Sequence, residues 1–455
     1  MVNPVTSAED VRVLVLTDTD SYVKWGAALA DRFPDAWIVE LVVARSTALP
    51  SGSQLADALA GTGFAGPEPA LVGLRDLERR LREQRPDVLV LAARGWTVQA
   101  AVSVVENVPS RPVIVTGLPG VGVPVLPYGL GFRRAADVFV VHSRRELREF
   151  RHAARRLDLP NRFELARLPY LDRVTPGASR ADGPLVFAAQ ALVPGSRSDR
   201  ALLVRRLADA ARARPDREVV VKVRARAGET QTHHEDTPYE ELVEALDDRP
   251  PNLVVRTGPM HEHLTGASGF VTVSSTALLE AIAAGVPALA VDDFGVGVEQ
   301  INLALRGSGL LGSLDDLVAG AFGEPDPAWC DDNYFHDPDE DSWLATVEAL
   351  VRQRRATGLP QFTEMPGAWR DGARALLYRH FAFAEGSRRG GLLALAERRV
   401  ALGALWINQH RSRLLRSVWP SVRGEAAMDF ARENAQETAQ GATDALPERD
   451  VSAGR

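Results

Sequence analysis

The sequence contains a single cysteine, Cys330, among its 455 residues, and this scarcity excludes several kinds of protein. One thiol cannot form an internal disulfide or a cysteine-rich metal site, so we expect a protein of a reducing, cytoplasmic environment. We expect Cys330 itself to be a buried, unreactive thiol, because an isolated cysteine more often packs as a small apolar side chain than acts as a nucleophile.

Long apolar runs and an excess of positive charge are missing as well. No stretch of about eighteen or more apolar residues occurs, and the opening MVNPVTSAED has no basic segment followed by an apolar core. We therefore expect neither a membrane-spanning helix nor a standard secretion signal. The formal net charge of -7 argues against a general nucleic-acid binder, which needs a basic surface to neutralise phosphates.

What the sequence does contain is a regular alternation of short apolar runs and helical patterns. In the first half one predicted strand begins at Val11, and four more cover 37–43, 87–92, 112–116 and 137–141. Strands that are apolar on both faces and alternate with helices are typical of a parallel sheet with covered faces. A polar, turn-rich segment at 171–183 interrupts the pattern, which then resumes as far as about residue 317. The sequence therefore predicts an α/β protein with two doubly wound, Rossmann-like domains.

We expect four segments along the chain. Two Rossmann-like domains would cover residues 1–172 and 183–320, and a helical C-terminal region would follow at 321–423. Residues 424–455 are rich in alanine, glutamate and glutamine without an apolar stripe, which is typical of a disordered tail.

The most informative stretch lies at 269–305. A buried strand ends there in three hydroxyl residues that open a helix, namely Ser274, Ser275 and Thr276. A helix start attracts phosphate through its unpaired amides and its dipole, and hydroxyl groups add donors. An ordinary serine N-cap without a ligand is the alternative. Glu280 lies one turn further along, where a carboxylate would suit the hydroxyls of a ribose.

The motif EAIAAGVP at 280–287, followed by Gln300, resembles the nucleotide-sugar half of GT-B glycosyltransferases, including bacterial lipid-linked N-acetylglucosaminyltransferases. In that family the glutamate corresponding to Glu280 holds the ribose, and the glutamine lies near the sugar or the diphosphate. The paired serines resemble instead the donor-phosphate motif of bacterial sialyl-, polysialyl- and capsule-type transferases. The opening TDTDSYVKWGAAL resembles an uncharacterised actinobacterial group of proposed glycosyltransferases.

This resemblance implies a GT-B fold, in which two domains face a cleft, and transfer of a sugar from a nucleotide-activated donor to an acceptor hydroxyl. The implied partners are a nucleotide-sugar donor and a glycan or lipid-linked acceptor, in cell-surface polysaccharide or glycolipid synthesis. We expect no cofactor and no obligatory metal ion, although the Asp-x-Asp spelling of Asp18 and Asp20 leaves the metal question open. Two alternatives remain: a non-hydrolysing nucleotide-sugar 2-epimerase, and a non-catalytic binding protein on a degenerate GT-B scaffold.

Further donor-site candidates follow strands of the second half. The sialyl and capsule families have a lysine and then a His-Pro pair after one such strand, whereas this chain has Lys222 and Arg224 and no His-Pro. Both cations could still bind a phosphate. His261, in a loop between two predicted strands, is either a donor-site residue or a surface histidine. Ser196 and Arg197 follow the first strand of this half and are placed to meet the diphosphate or the transferred sugar.

The first half offers candidates for the acceptor side. Asp18 and Asp20 follow the first strand, where a general base would face the cleft, although one of them could simply cap the next helix. Lys24 lies on that helix, and Gly120 lies in the loop TGLPGVGVP, whose glycines allow a close backbone approach to a ligand. A tight turn without ligand contact is the alternative for Gly120.

The segment at 391–422 combines leucines and two tryptophans with five arginines. A C-terminal helix packed on the first domain is the interpretation that we favour, because the apolar stripe is no wider than a core helix needs. Weak peripheral docking to the inner face of an anionic membrane is the alternative, since interfacial helices have the same composition.

Overall fold

The computed structural model describes residues 10–46, 48–177, 179–223, 237–362, 383 and 428–438. The segment at 391–422, with its packed-helix and membrane-docking interpretations, and the candidate Arg224 lie outside these ranges. No helix within them is long and apolar enough to cross a bilayer.

The first half of the described chain forms a parallel sheet covered by helices. Its strands are β1 (Arg12–Thr17), β2 (Ile38–Ala44), β3 (Ala70–Val72), β4 (Val88–Ala92), β5 (Val113–Gly117), β6 (Val138–Val141) and β7 (Phe163–Leu165). Its helices are α1 (Asp20–Ala30), α2 (Gly52–Leu59), α3 (Leu74–Gln84), α4 (Gly95–Val105), α5 (Pro127–Gly131) and α6 (Arg144–Arg156), followed by a 3₁₀ turn at Pro169–Arg173. The strand order is β3-β2-β1-β4-β5-β6-β7, and every pairing within it is parallel.

The second half repeats this arrangement. Its strands are β8 (Leu185–Ala188), β9 (Val219–Lys222), β10 (Leu253–Arg256), β11 (Gly269–Thr272), β12 (Ala288–Val291) and β13 (Leu311–Gly312). Its helices are α7 (Arg197–Ala213), α8 (Tyr239–Glu244), α9 (Met260–Leu264), α10 (Ala277–Ala284) and α11 (Leu314–Ala319), with a 3₁₀ turn at Leu303–Leu305. These strands run parallel in the order β10-β9-β8-β11-β12-β13.

Apolar side chains on both faces of each strand explain why helices cover both sides. All five residues of β4 are buried, and their side chains alternate between two separate apolar clusters, one on each face of the first sheet. Continuous Val, Leu and Ile runs of this kind fit a sheet that has no solvent-facing side. The prediction of two doubly wound α/β units is confirmed.

Two glycines allow α1 to lie close to the first sheet. A Cβ on Gly26 would lie 2.8 Å from the Cβ of Ala92, and one on Gly117 would lie 2.5 Å from the ring of Trp25. Both distances are shorter than van der Waals contact, so these positions accept no side chain without movement. Helix α1 is therefore fixed tightly over β1, β4 and β5, and it carries Asp20 and Lys24 with it.

After α11 the described chain contains α12 (Pro327–Asp332), a 3₁₀ turn at Pro338–Glu340 and α13 (Trp343–Thr357). Helix α13 returns to the first sheet, where Trp343, Val347 and Val351 join its apolar core. Asp87, which precedes β4, anchors the end of this helix by ion pairs with Arg354 at 2.7 Å and Arg355 at 2.8 Å. Burial alone would raise the pKa of Asp87, but the arginine contacts and a hydrogen bond from the Arg12 amide hold it below its usual value.

Residues 428–438 form a helix, which departs from the disordered tail that we expected at 424–455. Ala431 of this helix packs on Val298 and Leu303 of the second half, with Met428 and Ala435 beside it. Phe430 of the same helix packs on the apolar cluster around Phe139 and Phe150 of the first half. The helix thus has only four apolar residues, two of them alanines, so its apolar side is weak in the sequence. The boundaries of 172, 183, 320 and 423 that we assigned to the domains stay predictions.

The two sheets are joined by a shared apolar cluster. It contains Ala28 of α1 together with Leu278 and Ala281 of α10, and Tyr170 from the segment between the two halves lies in it as well. Two Rossmann-like domains packed face to face in this way, with a C-terminal helix that returns to the first, have the GT-B architecture that we predicted.

Candidate functional site

The carboxyl ends of the two parallel sheets face each other across the contact between the domains. Lys24 Nζ on α1 lies 2.8 Å from Glu280 Oε1 on α10. The loop after β5 approaches the start of the same helix, because a Cβ on Gly120 would lie 2.8 Å from Thr276 Oγ1. The structure therefore brings together Lys24, Gly120, Thr276 and Glu280, which the sequence predicted separately as acceptor-side and donor-side residues.

Each sheet has a switch point, which is the position at which the strand order reverses. In the first sheet this point lies between β1 and β4, and Asp18 follows β1 there. In the second it lies between β8 and β11, which are followed by Gln190 and Ser274. Doubly wound sheets bind their ligands in the crevice outside such switch points. Both switch points thus support a site between the domains.

At the second switch point Gln190 holds Ser274 in place. The Ser274 amide donates to Gln190 Oε1 at 2.8 Å, and Gln190 Nε2 donates to Ser274 Oγ at 3.1 Å. Sequence reasoning missed Gln190. Its signal was available, because it follows β8 as Ser274 follows β11, and these strands are neighbours in the sheet.

Ser275 and Thr276 differ in how they are used at the start of α10. Ser275 Oγ accepts a hydrogen bond from the Ala277 amide at 3.2 Å, so this serine caps the helix in part, as the alternative to a ligand predicted. Thr276 occupies the N-cap position, but its side chain makes no capping hydrogen bond. All three hydroxyl residues keep partial exposure, and the amides of the first helical turn point toward the same region.

Glu280 is buried, and Lys24 is about one-third exposed. The Lys24 ammonium also lies 4.5 Å from the centre of the Tyr170 ring, which places it between an anion and an aromatic face. Burial raises the pKa of Tyr170 well above its usual value, and the nearby Glu280 and Glu146 charges raise it further. Tyr170 is therefore a neutral wall beside the ion pair.

The loop after β12 is folded back on itself around Asn302. Its Oδ1 accepts from the Gly297 amide at 2.9 Å, and its Nδ2 donates to the Gly295 carbonyl at 3.0 Å. Gln300 lies in this loop, and its Oε1 is buried without a hydrogen-bond partner among the described residues. A buried amide oxygen of this kind accepts a hydrogen bond from any donor that reaches it.

The remaining donor-side candidates that the structure describes are Ser196, Arg197, His261 and Lys222. Ser196 caps α7 by accepting from the Asp199 amide at 3.0 Å, and both it and Arg197 are exposed. His261 is exposed on the short helix α9, so its surface position matches the simpler of the two interpretations. Lys222 is half-buried at the end of β9, next to the switch-point strand β8.

In the first domain Asp18 is fully buried and tied to the loop after β4. It accepts hydrogen bonds from Arg94 Nε and Thr97 Oγ1, each at 2.8 Å, and from the Arg94 amide at 3.2 Å. Neither aspartate occupies the cap position of α1, which is taken by Thr19. Asp20 is instead the first residue of α1 and is partly exposed.

The glycine-rich loop after β5 is fixed by Glu146, a buried carboxylate that sequence reasoning missed. Glu146 accepts from the Gly122 amide at 2.6 Å, the His142 amide at 2.7 Å and the Tyr334 hydroxyl at 2.8 Å. Burial raises its pKa, although these three donors oppose the shift. Glu146 therefore fixes the loop two residues after Gly120, and the loop bends at Gly120 where it approaches Thr276.

His142, beside this loop, belongs to the core and is not a candidate base. Its Nε2 accepts from Trp25 Nε1 at 2.8 Å, and its Nδ1 lies 2.8 Å from the Ala166 carbonyl. Burial lowers its pKa to about 4, which keeps the ring neutral at pH 7. Cys330 is similarly unreactive, because burial, assisted by Asp326, raises the pKa of its thiol to about 11.

The described residues contain no group of three or more His, Cys, Asp or Glu side chains arranged to hold a metal ion. In the Asp-x-Asp sequence after β1, the Asp18 carboxylate forms an ion pair with Arg94 and accepts a hydrogen bond from Thr97. Asp18 and Asp20 are therefore not two equivalent carboxylates facing one metal ion.

Several solved structures share parts of this architecture at low sequence identity. The S. aureus MnaA–UDP complex is 13% identical, with a TM-score of 0.48, and the match covers 78% of this chain and 100% of that one. UDP-GlcNAc 2-epimerase from Neisseria meningitidis bound to UDP-GlcNAc is 10% identical with a TM-score of 0.45, covering 75% and 99%. A UDP-glucosyltransferase from Polygonum tinctorium is 13% identical with a TM-score of 0.41, covering 87% and 99%.

No curated protein sequence matches this chain. A family profile does, over residues 13–350, which span both sheets and reach into α13. This confirms the resemblance to a family of proposed glycosyltransferases, and the chain belongs to the family described as "Putative glycosyltransferase (DUF6716)".

Proposed function

We propose that this protein transfers a sugar from a nucleotide-sugar donor to an acceptor hydroxyl in the cleft between its two domains. The observation that carries this proposal is the convergence of the α10 helix start and Glu280 of the second sheet with α1 and the Gly120 loop of the first. A helix start beside a buried carboxylate offers one site for a phosphate and one for a diol, which are the two groups that a sugar nucleotide presents.

The donor phosphate would bind at Ser274, Ser275 and Thr276. The helix dipole and the first-turn amides favour negative charge there, and Gln190 fixes the orientation of Ser274 by two hydrogen bonds. Lys222, half-buried on β9, lies one strand away from Gln190 in the sheet and supplies positive charge on this side. Arg197, on the exposed start of α7, would reach a bound diphosphate from the solvent side.

The ribose would bind at Glu280, and this requires a change of partner. In the structure one oxygen of Glu280 accepts from Lys24, which keeps the buried carboxylate compensated. Ribose hydroxyls donate to a carboxylate as the ammonium does, so an arriving donor can share or replace Lys24. The released ammonium would then lie near the phosphates. The buried Gln300 Oε1, which has no hydrogen-bond partner among the described residues, would accept a hydrogen bond from a hydroxyl of the transferred sugar.

Asp20 is the better of the two base candidates. Asp18 is fully buried and accepts three hydrogen bonds from Arg94 and Thr97, so taking a proton would break a charged pair inside the protein. Asp20 is partly exposed on the first turn of α1, the helix that carries Lys24 into the cleft. We assign Asp18 to holding the Arg94 loop and Asp20 to proton removal.

The acceptor oxygen forms a bond to the anomeric carbon of the donor sugar while the bond from that carbon to the phosphate oxygen breaks. The acceptor proton passes to the Asp20 carboxylate, and the bonding pair leaves with the nucleoside phosphate. The α10 helix start stabilises the charge that develops on this leaving group.

A glycan is the acceptor that the first domain suits best. Trp96 and Tyr128 are exposed on the first turns of α4 and α5, and both turns follow the carboxyl ends of strands. The Arg94 guanidinium lies 5.4 Å from the centre of the Trp96 ring. Exposed aromatic faces at a sheet edge suit the apolar faces of sugar rings. This supports a role in the synthesis of polysaccharide or glycolipid.

The proposed function is tested by a thermal-shift screen of CMP, UDP, GDP and CDP compounds, followed by product analysis. A true donor at about a hundred times its dissociation constant should stabilise the protein by about 2.7 kcal/mol. Incubated with a glycan acceptor, that donor should yield a new glycoside. Interconversion of the donor sugar without any acceptor would identify an epimerase instead. Failure of every nucleotide to stabilise the protein would identify a non-catalytic scaffold.

Replacing Glu280 tests the ribose site. The Glu280→Ala variant should bind the nucleotide more weakly by about 1.5 to 3 kcal/mol, the range expected when a charged hydrogen bond is lost. Calorimetry measures this directly. Glu241→Ala, which removes an exposed carboxylate from α8 of the same domain, is the matched control and should leave the affinity unchanged. Equal affinity in Glu280→Ala and wild type, with both folded, removes Glu280 from the site.

Replacing the two aspartates separates base from scaffold. Asp20→Asn should lower turnover at least about a hundredfold and leave nucleotide affinity nearly intact, because the amide cannot accept a proton. Asp18→Asn should chiefly lower thermal stability, because it removes the charged partner of the half-buried Arg94 guanidinium. Initial rates, calorimetry and thermal unfolding of both variants decide the matter. Full turnover in Asp20→Asn would place the base elsewhere.

A further inference from the structure

A cavity of about 310 Å³ lies on the far side of the first domain from the cleft. Arg111, Asp137 and Arg162 line it, and they stand one or two residues before β5, β6 and β7. Because these strands are parallel, all three residues lie at the amino edge of the sheet, opposite the edge that carries the candidate site. The second half of α13 and the segment 359–362 close the cavity.

One wall of the cavity is rigid and carries no net charge. Arg111 and Asp137 form a two-pronged ion pair with distances of 2.7 and 2.9 Å. Arg111 Nε also donates to the Pro360 carbonyl at 2.7 Å, and its guanidinium lies 4.6 Å from the centre of the Phe362 ring. With a further hydrogen bond to the Pro112 carbonyl at 3.2 Å, these contacts use four of the five N–H donors of Arg111 and hold the closing segment in place.

Two further arginines leave the cavity positively charged. Arg134 is half-buried and Arg162 is exposed, and neither guanidinium has a hydrogen bond or an ion pair among the described residues. Each guanidinium presents five N–H donors, and the partial or full exposure of the two side chains leaves these donors accessible from solvent. Gln353 and Gln361 add amide donors to the same cavity. Since Asp137 is neutralised by Arg111, the lining has an excess of two positive charges.

We propose that this cavity is a second ligand site, which binds a small molecule that carries a phosphate monoester. Two guanidinium groups match the oxygens of a phosphate dianion, which accept paired N–H donors. Leu350, Leu359 and Pro160 form apolar wall for the rest of the molecule. The volume lies at the lower end of ligand pockets, so the ligand is no larger than a phosphorylated monosaccharide or a comparable metabolite. This site is independent of the proposed transfer reaction and lies at the opposite edge of the sheet.

The proposal is tested by calorimetry on the full chain with phenyl phosphate and inorganic phosphate as probes, at constant ionic strength. Arg134→Gln and Arg162→Gln should each weaken binding at least about tenfold, which is about 1.4 kcal/mol. Arg155→Gln is the matched control, because it removes the same charge from an exposed position on α6. It should change the dissociation constant by less than about twofold. Neither cavity variant removes an ion pair with another described residue, so thermal unfolding should stay close to wild type.

A second control separates this site from the proposed donor site, which would also attract phosphate. Ser275→Ala alters the start of α10 and should leave the phenyl phosphate affinity of the cavity unchanged. Binding that disappears in Ser275→Ala and survives in Arg134→Gln would overturn the cavity proposal and support the donor site. Absence of binding to the wild-type protein at about 10 mM of either probe would overturn the cavity proposal and leave the proposed function untouched.

Discussion

Parallel strand order puts the carboxyl end of every strand on one edge of its sheet, and the candidate site exists because two such edges face each other. The Lys24–Glu280 pair and the contact of Gly120 with Thr276 fix how closely they approach. A buried carboxylate without a partner is costly, and Lys24 is the partner that Glu280 has in the structure. Under the proposed function a nucleotide sugar would supply hydroxyl donors for Glu280 and negative charge for Lys24 at the same time.

Around this contact, buried carboxylates hold the loops rather than perform chemistry. Asp18 fixes the Arg94 loop, and Glu146 fixes the glycine-rich loop and reaches Tyr334 from the C-terminal region. Each accepts several hydrogen bonds, which is what a buried charge needs in order to be tolerated. Asp20 and the three hydroxyl residues at 274–276 keep partial exposure, and they are the residues to which the proposed function gives contact with a substrate.

The alternation of strands and helices was predictable because it depends on local apolar runs. The short edge strands β3, β7 and β13 were not predicted, since two or three residues carry no periodicity. The phosphate-binding candidates at Ser274–Thr276 were recognisable from their place after a strand. Partners distant in sequence, such as Glu280 for Lys24 or Arg94 for Asp18, were not, because only the folded chain brings them together. The helix at 428–438 escaped prediction because it has only four apolar residues, Met428, Phe430, Ala431 and Ala435, among many polar ones.

The most direct test of the account is an experimental structure of the protein with the nucleoside diphosphate that stabilises it. The account predicts phosphate oxygens within hydrogen-bond distance of the Ser274–Thr276 segment and ribose hydroxyls on Glu280, with Lys24 shared or displaced. A nucleotide bound elsewhere, with the Lys24–Glu280 pair unchanged and the start of α10 unoccupied, would contradict it.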